Sequence, residues 1–277
     1  MCEQIMNDVG DIQLLKKIHP KNINFIMAFR GWPDAKRVAS YAAEYLCDKL
    51  SVEKIAEIDS RPFYDFAIQR PLVDIKKGII KDYSPPSNEL YFYRSKMSEH
   101  DLLILIGVEP HTNWQKYVAS IFKTFSVESS NLICCLGGLI DRIPHTITPS
   151  FSGVATSQNI MNEMKVQDIE PADYNGPSSI HSLILHECKR RKIPAMSIWG
   201  HVPEYIGEVD PRTAHHLLSK VKALLGLEVD LKELEMEGNL FQKQLDSLMK
   251  KDQTFSQLVH ELEIEYKNSK RSPDYLT

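Results

Sequence analysis

No run of apolar residues in this sequence approaches the roughly 18 that a helix needs to cross a bilayer. A membrane partner is therefore not expected. Residues 1–8, Met1-Cys2-Glu3-Gln4-Ile5-Met6-Asn7-Asp8, lack a basic stretch followed by an apolar one, so no secretory leader is expected. Cysteine is sparse and odd in number: five in 277 residues, at Cys2, Cys47, Cys134, Cys135 and Cys188, with no Cys-x-x-Cys pair. That spacing excludes zinc-ribbon and thioredoxin-type readings and a disulfide framework. Free thiols in a reducing cytoplasm fit the pattern. Positive charge is not in excess either, with 33 Lys plus Arg against 37 Asp plus Glu and a formal charge of −4. A nucleic-acid binder normally carries a basic footprint, so nucleic acid is not an expected partner.

The motifs of common chemistries are also missing. There is no G-x-G-x-x-G and no G-x-x-x-x-G-K-[ST], so dinucleotide and P-loop cradles are not expected. There is no G-x-S-x-G elbow, and His186-Glu187 is not followed by the second His of H-E-x-x-H. Cys134 and Cys135 lie in an apolar strand-like run, where a thiolate nucleophile is costly to form. No cofactor and no metal are expected.

What is present is an alternation of strands and helices. Asn24–Phe29, Lys54–Ile58, Asn88–Arg94, Asp101–Gly107, Leu132–Leu136, Ser152–Ser157 and Ala195–Trp199 read as strands. The unbroken apolar runs among them suit a sheet covered on both faces. Helices are predicted over Lys36–Leu50, Asn113–Val127, Ser179–Arg191 and Pro211–Leu225. Asp59–Pro86 reads as an excursion with a hairpin near Lys76-Lys77-Gly78. The four cations Lys189–Lys192 close a helix, where they suit its dipole. From Asp230 to Lys270 proline disappears, charge is dense, and Leu234, Phe241, Leu245, Leu248, Phe255, Leu258, Val259 and Leu262 mark one or two amphipathic helices. The expected fold is α/β: a three-layer α/β/α domain with a mostly parallel, mixed sheet. Residues 1–228 form that domain, with 1–20 as a lead-in, and 229–277 form a C-terminal helical extension and tail.

In open α/β sheets, ligands sit outside the carboxyl ends of the strands. Four loops take such positions: Arg30–Ala35, Gly107–His111, Gly137–His145 and Gly200–Tyr205. In the first, Gly31, Trp32 and Pro33 precede Asp34, which is placed to cap the following helix. In the third, Gly137-Gly138 permits positive φ and close backbone approach. Asp141, Pro144 and His145 then follow. This loop reads either as an acid–base or ligand site built on Asp141 and His145, or as a strand exit with Asp141 capping a turn and His145 bonded to nearby backbone. The fourth holds His201, Pro203, Glu204 and Tyr205. A metal site from His145, His201 and Glu204 has no supporting spacing.

Taken in order, four stretches resemble the proteasome assembly chaperone 2 family, its bacterial and archaeal branch especially. They are Gly31-Trp32-Pro33-Asp34-Ala35; Gly137-Gly138-Leu139-Ile140-Asp141 with Pro144-His145-Thr146; Tyr174-Asn175-Gly176-Pro177; and Ile193–Tyr205. The resemblance spans roughly residues 22 to 230. It implies a phosphorylase/peptidase-like three-layer fold, self-association into a homo-oligomer, and a chaperone role towards proteasome-like subunits. Tyr174, Gly176 and Pro177 join the cleft candidates on this ground. It also implies a docking tail ending hydrophobic-Tyr-any residue. Here the end is Asp274-Tyr275-Leu276-Thr277, with Tyr275 displaced by one position.

Two functions follow as expectations. The first is a cytoplasmic binding and assembly module without catalysis. The alternative is a small-molecule hydrolase-like enzyme using Asp141, His145 and His201 in a sheet-end cleft.

Overall fold

A computed structural model describes residues 11–96 and 98–271. Cys2 and Tyr275 lie outside the described residues. In chain order the first elements are β1 (Ile12–Leu14), β2 (Ile23–Arg30), α1 (Val38–Leu50), β3 (Glu53–Ile58), β4 (Leu72–Lys76), β5 (Ile79–Ser84) and β6 (Asn88–Tyr93). Then come β7 (Leu102–Val108), α2 (Trp114–Thr124), β8 (Ser130–Asp141), β9 (Phe151–Ala155), α3 (Gln158–Val166) and β10 (Glu170–Pro171). The chain continues with α4 (Ile180–Arg191), β11 (Ala195–Pro203), α5 (Pro211–Leu225), α6 (Lys232–Lys251) and α7 (Gln253–Arg271).

Among the described residues, nine strands form one sheet in the order β1-β3-β6-β7-β2-β8-β11-β9-β10. Its centre, β7-β2-β8-β11, is parallel, because each of these strands returns through a helical crossover. Antiparallel pairs flank it, β6 against β7 on one side and β9 against β11 on the other. The central strands bury both faces. Alternate residues of β2 enter different cores: Ile26 and Ala28 pack with α1 and α5, while Phe25, Met27 and Phe29 pack with α2 and α4. This is the three-layer arrangement, with helices on both sides of a mixed sheet.

The hairpin expected near Lys77-Gly78 is β4–β5. Lys77 and Gly78 both take positive φ (52° and 76°), as a tight two-residue turn requires. Three elements were not anticipated: β1, β10 and α3. The first two have only three and two residues, and α3 has only nine, with Met164 buried and Ile160 and Met161 packed partly buried beside it. Strands β8 and β11 also run further than their apolar cores suggest, to Asp141 and Pro203.

α5 is ended by recognisable local chemistry. Asp210 Oδ1 accepts the Thr213 N–H at 2.9 Å, Pro211 opens the helix, and Gly226 closes it in the left-handed region (φ 62°). α6 then folds back on the same chain. Leu231 and Leu234 enter the α1/α5 core, with Phe241 and Leu245 packed against it. α7 buries Val259 and Leu262. The amphipathic faces of the extension are therefore used in part within the chain, while Leu248, Met236, Leu240 and Ile264 stay exposed. No helix among the described residues is long and apolar enough to cross a membrane.

His181 of α4 is enclosed in the second core. Its Nδ1 lies 3.1 Å from Ser197 Oγ, its ring lies tilted against Trp199 with centroids 5.0 Å apart, and burial pushes its pKa down to about 3. The unfolded chain takes up a proton here below about pH 6.5 and the folded chain does not. This contribution to stability is full above pH 6.5 and is lost as pH falls through it towards 3. Urea titrations are expected to show up to about 2 kcal/mol less stability at pH 5 than at pH 7.5 from this group, and His181→Gln should flatten that limb. Leu234→Ala, which empties a fully buried site beneath α6, should cost about 2–5 kcal/mol in the same assay.

Candidate functional site

The carboxyl ends of β2, β7, β8 and β11 share one rim, and backbone hydrogen bonds tie their loops together. The Gly138 N–H donates to Pro33 O at 2.8 Å, and the Glu109 N–H donates to Arg30 O at 2.8 Å. Gly31 turns the chain with φ 114°, which a side chain would strain. Asp34 is buried, and its Oδ1 accepts the N–H groups of Ala39 and Ser40 at 2.8 and 3.1 Å. It caps the start of α1. Burial raises its pKa, while those hydrogen bonds oppose the rise. Trp32 beside it is 62% exposed.

Gly137 and Gly138 are not loop residues, and neither has positive φ among the described residues. They pair within the sheet with Trp199 and Gly200. Their lack of Cβ serves close approach instead: a Cβ on Gly138 would stand 2.8 Å from Ala35 O, and one on Gly200 would stand 2.7 Å from Thr213 Cγ2. The expected permissive exit is thus a packing requirement between the strands and the layer of α1 and α5.

His145 and His201 have different surroundings, which separates the expected acid–base trio. His145 is 2% exposed. Its backbone N–H donates to Tyr205 Oη at 2.6 Å, and that hydroxyl donates to His145 Nδ1 at 2.7 Å. Phe255 of α7 stacks on the imidazole with centroids 5.8 Å apart. Nε2 is 3.5 Å from Asp246 Oδ1 and makes no hydrogen bond. Burial is the main cause of its lowered pKa, with Arg212 adding to it and Asp246 opposing it. Arg212 fastens this loop through the carbonyls of His145 and Ile147, both at 2.6 Å. His145 and Tyr205 thus form a structural clamp under α7. Burial likewise pushes the Tyr205 phenol up to about 12. Pro144 and Pro203 are buried beside them.

Asp141 and His201 do come together. His201 Nδ1 lies 2.7 Å from Asp141 Oδ2, and Asp141 Oδ1 accepts the Arg142 N–H at 2.7 Å. The hydrogen bond from His201 is the main cause of the lowered Asp141 pKa. The other ring nitrogen meets a residue that sequence reading missed: His201 Nε2 is 2.8 Å from Ser152 Oγ. Ser152 opens the predicted strand Ser152–Ser157, but nothing local shows that this strand lies antiparallel beside β11. Arg142 in turn pairs with Glu265 of α7 at 3.0 Å, and Thr146 Oγ1 donates to Glu263 at 2.6 Å.

Tyr174, Gly176 and Pro177 are exposed in the segment between β10 and α4, where the Tyr174 hydroxyl donates to Pro177 O at 2.8 Å. They do not line the cleft beside Asp141 and His201. No group of three His, Cys, Asp or Glu side chains able to hold a metal is found among the described residues. The thiols of Cys134 and Cys135 are buried in β8 and pushed up by burial.

Tyr205→Phe removes both the acceptor of the His145 N–H and the donor to its ring. It should cost about 1–3 kcal/mol in urea unfolding and loosen α7, read as faster amide exchange around Phe255.

The fold is shared with known proteins. A PAC2 family protein from Streptomyces avermitilis is 28% identical, with a TM-score of 0.74 over 81% of this chain and 95% of that one. A proteasome-assembly chaperone homologue from Mycobacterium tuberculosis is 25% identical, with a TM-score of 0.78 over 86% of this chain and 100% of that one. A further M. tuberculosis protein of unknown function shares the fold, with a TM-score of 0.85 at 20% identity over 97% of this chain and 92% of that one. A comparison with curated proteins finds no match. The PAC2 family profile matches residues 28–249, from β2 into α6, and this chain belongs to the PAC2 family.

Proposed function

We propose that this chain is a protein-binding assembly module of the proteasome-assembly-chaperone type, that it self-associates, and that proteasome-like subunits are its partners. The observation that carries the reading is the β4–β5 hairpin. It forms a sheet of its own, and every residue of both strands is exposed. It is nonetheless apolar, presenting Leu72, Val73, Ile75, Ile79, Ile80 and Tyr83. An isolated two-stranded hairpin is marginal in water, and a contiguous exposed apolar patch marks a protein contact. A second copy of the chain is the partner we assign to it. The likeness to the M. tuberculosis chaperone homologue supports the assembly role and the class of partner. Exposed Trp32 and Ile140 add apolar contact area at the rim.

Light scattering on the full chain should give a mass above the 31.8 kDa of one copy. The double variant Ile75→Asp/Ile80→Asp should return it to one copy. Wild-type protein at the single-copy mass would overturn self-association. In affinity capture from the native cell, the full chain should retain proteasome α-type subunits. A chain lacking residues 272–277, which include Tyr275, should retain far less. Capture of none by the full chain would remove the proteasome partner.

A further inference from the structure

Three adjacent strands place an Asp, a His and a Ser in one row. β8 pairs in parallel with β11, with Leu139 opposite His201 and Asp141 opposite Pro203. β9 pairs antiparallel with β11, with Ser152 opposite Trp199. Asp141 and Ser152 are thus each one diagonal step from His201, on either side of it. Residues in that relation on one face of a sheet lie within side-chain reach. The contacts follow: Asp141 Oδ2 to His201 Nδ1 at 2.7 Å, then His201 Nε2 to Ser152 Oγ at 2.8 Å.

The hydrogen-bond inventory orders the protons. The Asp141 carboxylate can only accept, so His201 Nδ1 carries the hydrogen directed at it. In neutral His201, Nε2 is then a lone pair, and Ser152 Oγ–H donates to it. The second carboxylate oxygen is held by the Arg142 N–H. Asp141 is therefore oriented through both oxygens, as a residue that fixes a histidine's tautomer needs to be. None of the three groups is shut away. Ser152 is half-buried, and the side chains of His201 and Asp141 keep 20% and 38% of their exposure. All three line an open cleft of about 400 Å³ whose wall includes Arg142, Phe151, Glu170 and, from α7, Glu265 and Tyr266. That volume suits a small organic ligand.

We infer that Ser152, His201 and Asp141 form a nucleophilic relay that cleaves small carboxylic esters through an acyl-Ser152 intermediate. Ser152 Oγ attacks the ester carbonyl carbon while His201 Nε2 takes the hydroxyl proton. Collapse breaks the carbon–oxygen bond to the leaving alcohol, which departs with the proton from His201. A solvent water then attacks the acyl carbon and gives a proton to His201. The bond to Ser152 Oγ breaks, the serine regains its proton and the carboxylic acid leaves. Asp141 holds the imidazole and stabilises its charged form. Arg142 is the cationic side chain lining the cleft; it is paired with Glu265, so stabilising the developing oxyanion requires it to leave that pair. The carboxylates of Asp141, Glu170 and Glu265 disfavour an anionic substrate, so the ester taken is uncharged or cationic.

The inference stands apart from the assembly role and needs no partner, so either can fail alone. The full chain is incubated with an alkyl fluorophosphonate and, separately, with p-nitrophenyl acetate and p-nitrophenyl hemisuccinate. The expected result is one phosphonyl group per chain, mapped to Ser152 by peptide mass spectrometry. An acetyl adduct should appear on the same peptide, and the acetyl ester should be cleaved faster than the anionic hemisuccinate. Ser152→Ala should abolish labelling at an unchanged melting temperature. His201→Gln and Asp141→Asn should each slow acylation by about 100-fold or more, the scale of losing a general base or its orienting carboxylate. Unlabelled wild-type protein, or label spread over other residues, would overturn the inference. Site mapping on the wild type needs no variant, so a misfolded mutant leaves the test decisive.

Discussion

The register between β8, β11 and β9 is the constraint on which the rest of the molecule depends. Gly138 and Gly200 hold it, because a methyl group at either position would collide with the Ala35 carbonyl or with Thr213. That close approach seats α1 and α5 against the sheet and brings Pro33 within hydrogen-bond reach of Gly138. It also decides which side chains share a row. A slip of one residue in β11 would turn His201 to the α1/α5 face, away from Asp141 and Ser152. The rim chemistry and the layer packing are thus one consequence of the same pairing.

Much of this was legible in the residues. The central strands announce themselves through unbroken apolar runs such as Leu102–Ile106 and Leu132–Leu136, and the helices through their apolar stripes. Asp34 reads as a cap and is one. Family membership was legible in the glycine, proline and aromatic residues of the rim loops. Legibility failed where the determining contact is remote. Ser152 is an ordinary strand residue until β9 is known to lie beside β11, some 49 positions away in sequence from His201. His145 carries the composition of an acid–base group, but Tyr205 and Phe255, from two other elements, wall it in. Gly137 and Gly138 look like a turn because paired glycines usually are. Here bulk, supplied by Trp199 and by the segment entering α1, is what selects them.

The C-terminal extension has the opposite character. Its apolar period was plain, yet an amphipathic stripe has no address written into it. The address is supplied by Tyr205, which closes the His145 loop, and by Arg212, which reaches across to the carbonyls of that loop. Together they raise a small aromatic platform on which Phe255 rests. Leu234, Phe241, Leu245, Val259 and Leu262 are thus turned to their own domain. The hairpin of Leu72–Ser84 carries uncovered apolar side chains, and the extension keeps Met236, Leu240, Leu248 and Ile264 exposed as well.

α7 is attached in two unlike ways along its length. Half-buried Phe255 stacks on His145 and buried Val259 and Leu262 fix its first turns by packing, whereas beyond them Glu263 and Glu265 hold Thr146 and Arg142 through exposed polar contacts. Dissolved electrolyte screens contacts of the second kind and leaves the first intact. Raised ionic strength therefore weakens the hold of α7 on Arg142, beside the cleft that Ser152 lines, and leaves the packing of Val259 and Leu262 in place.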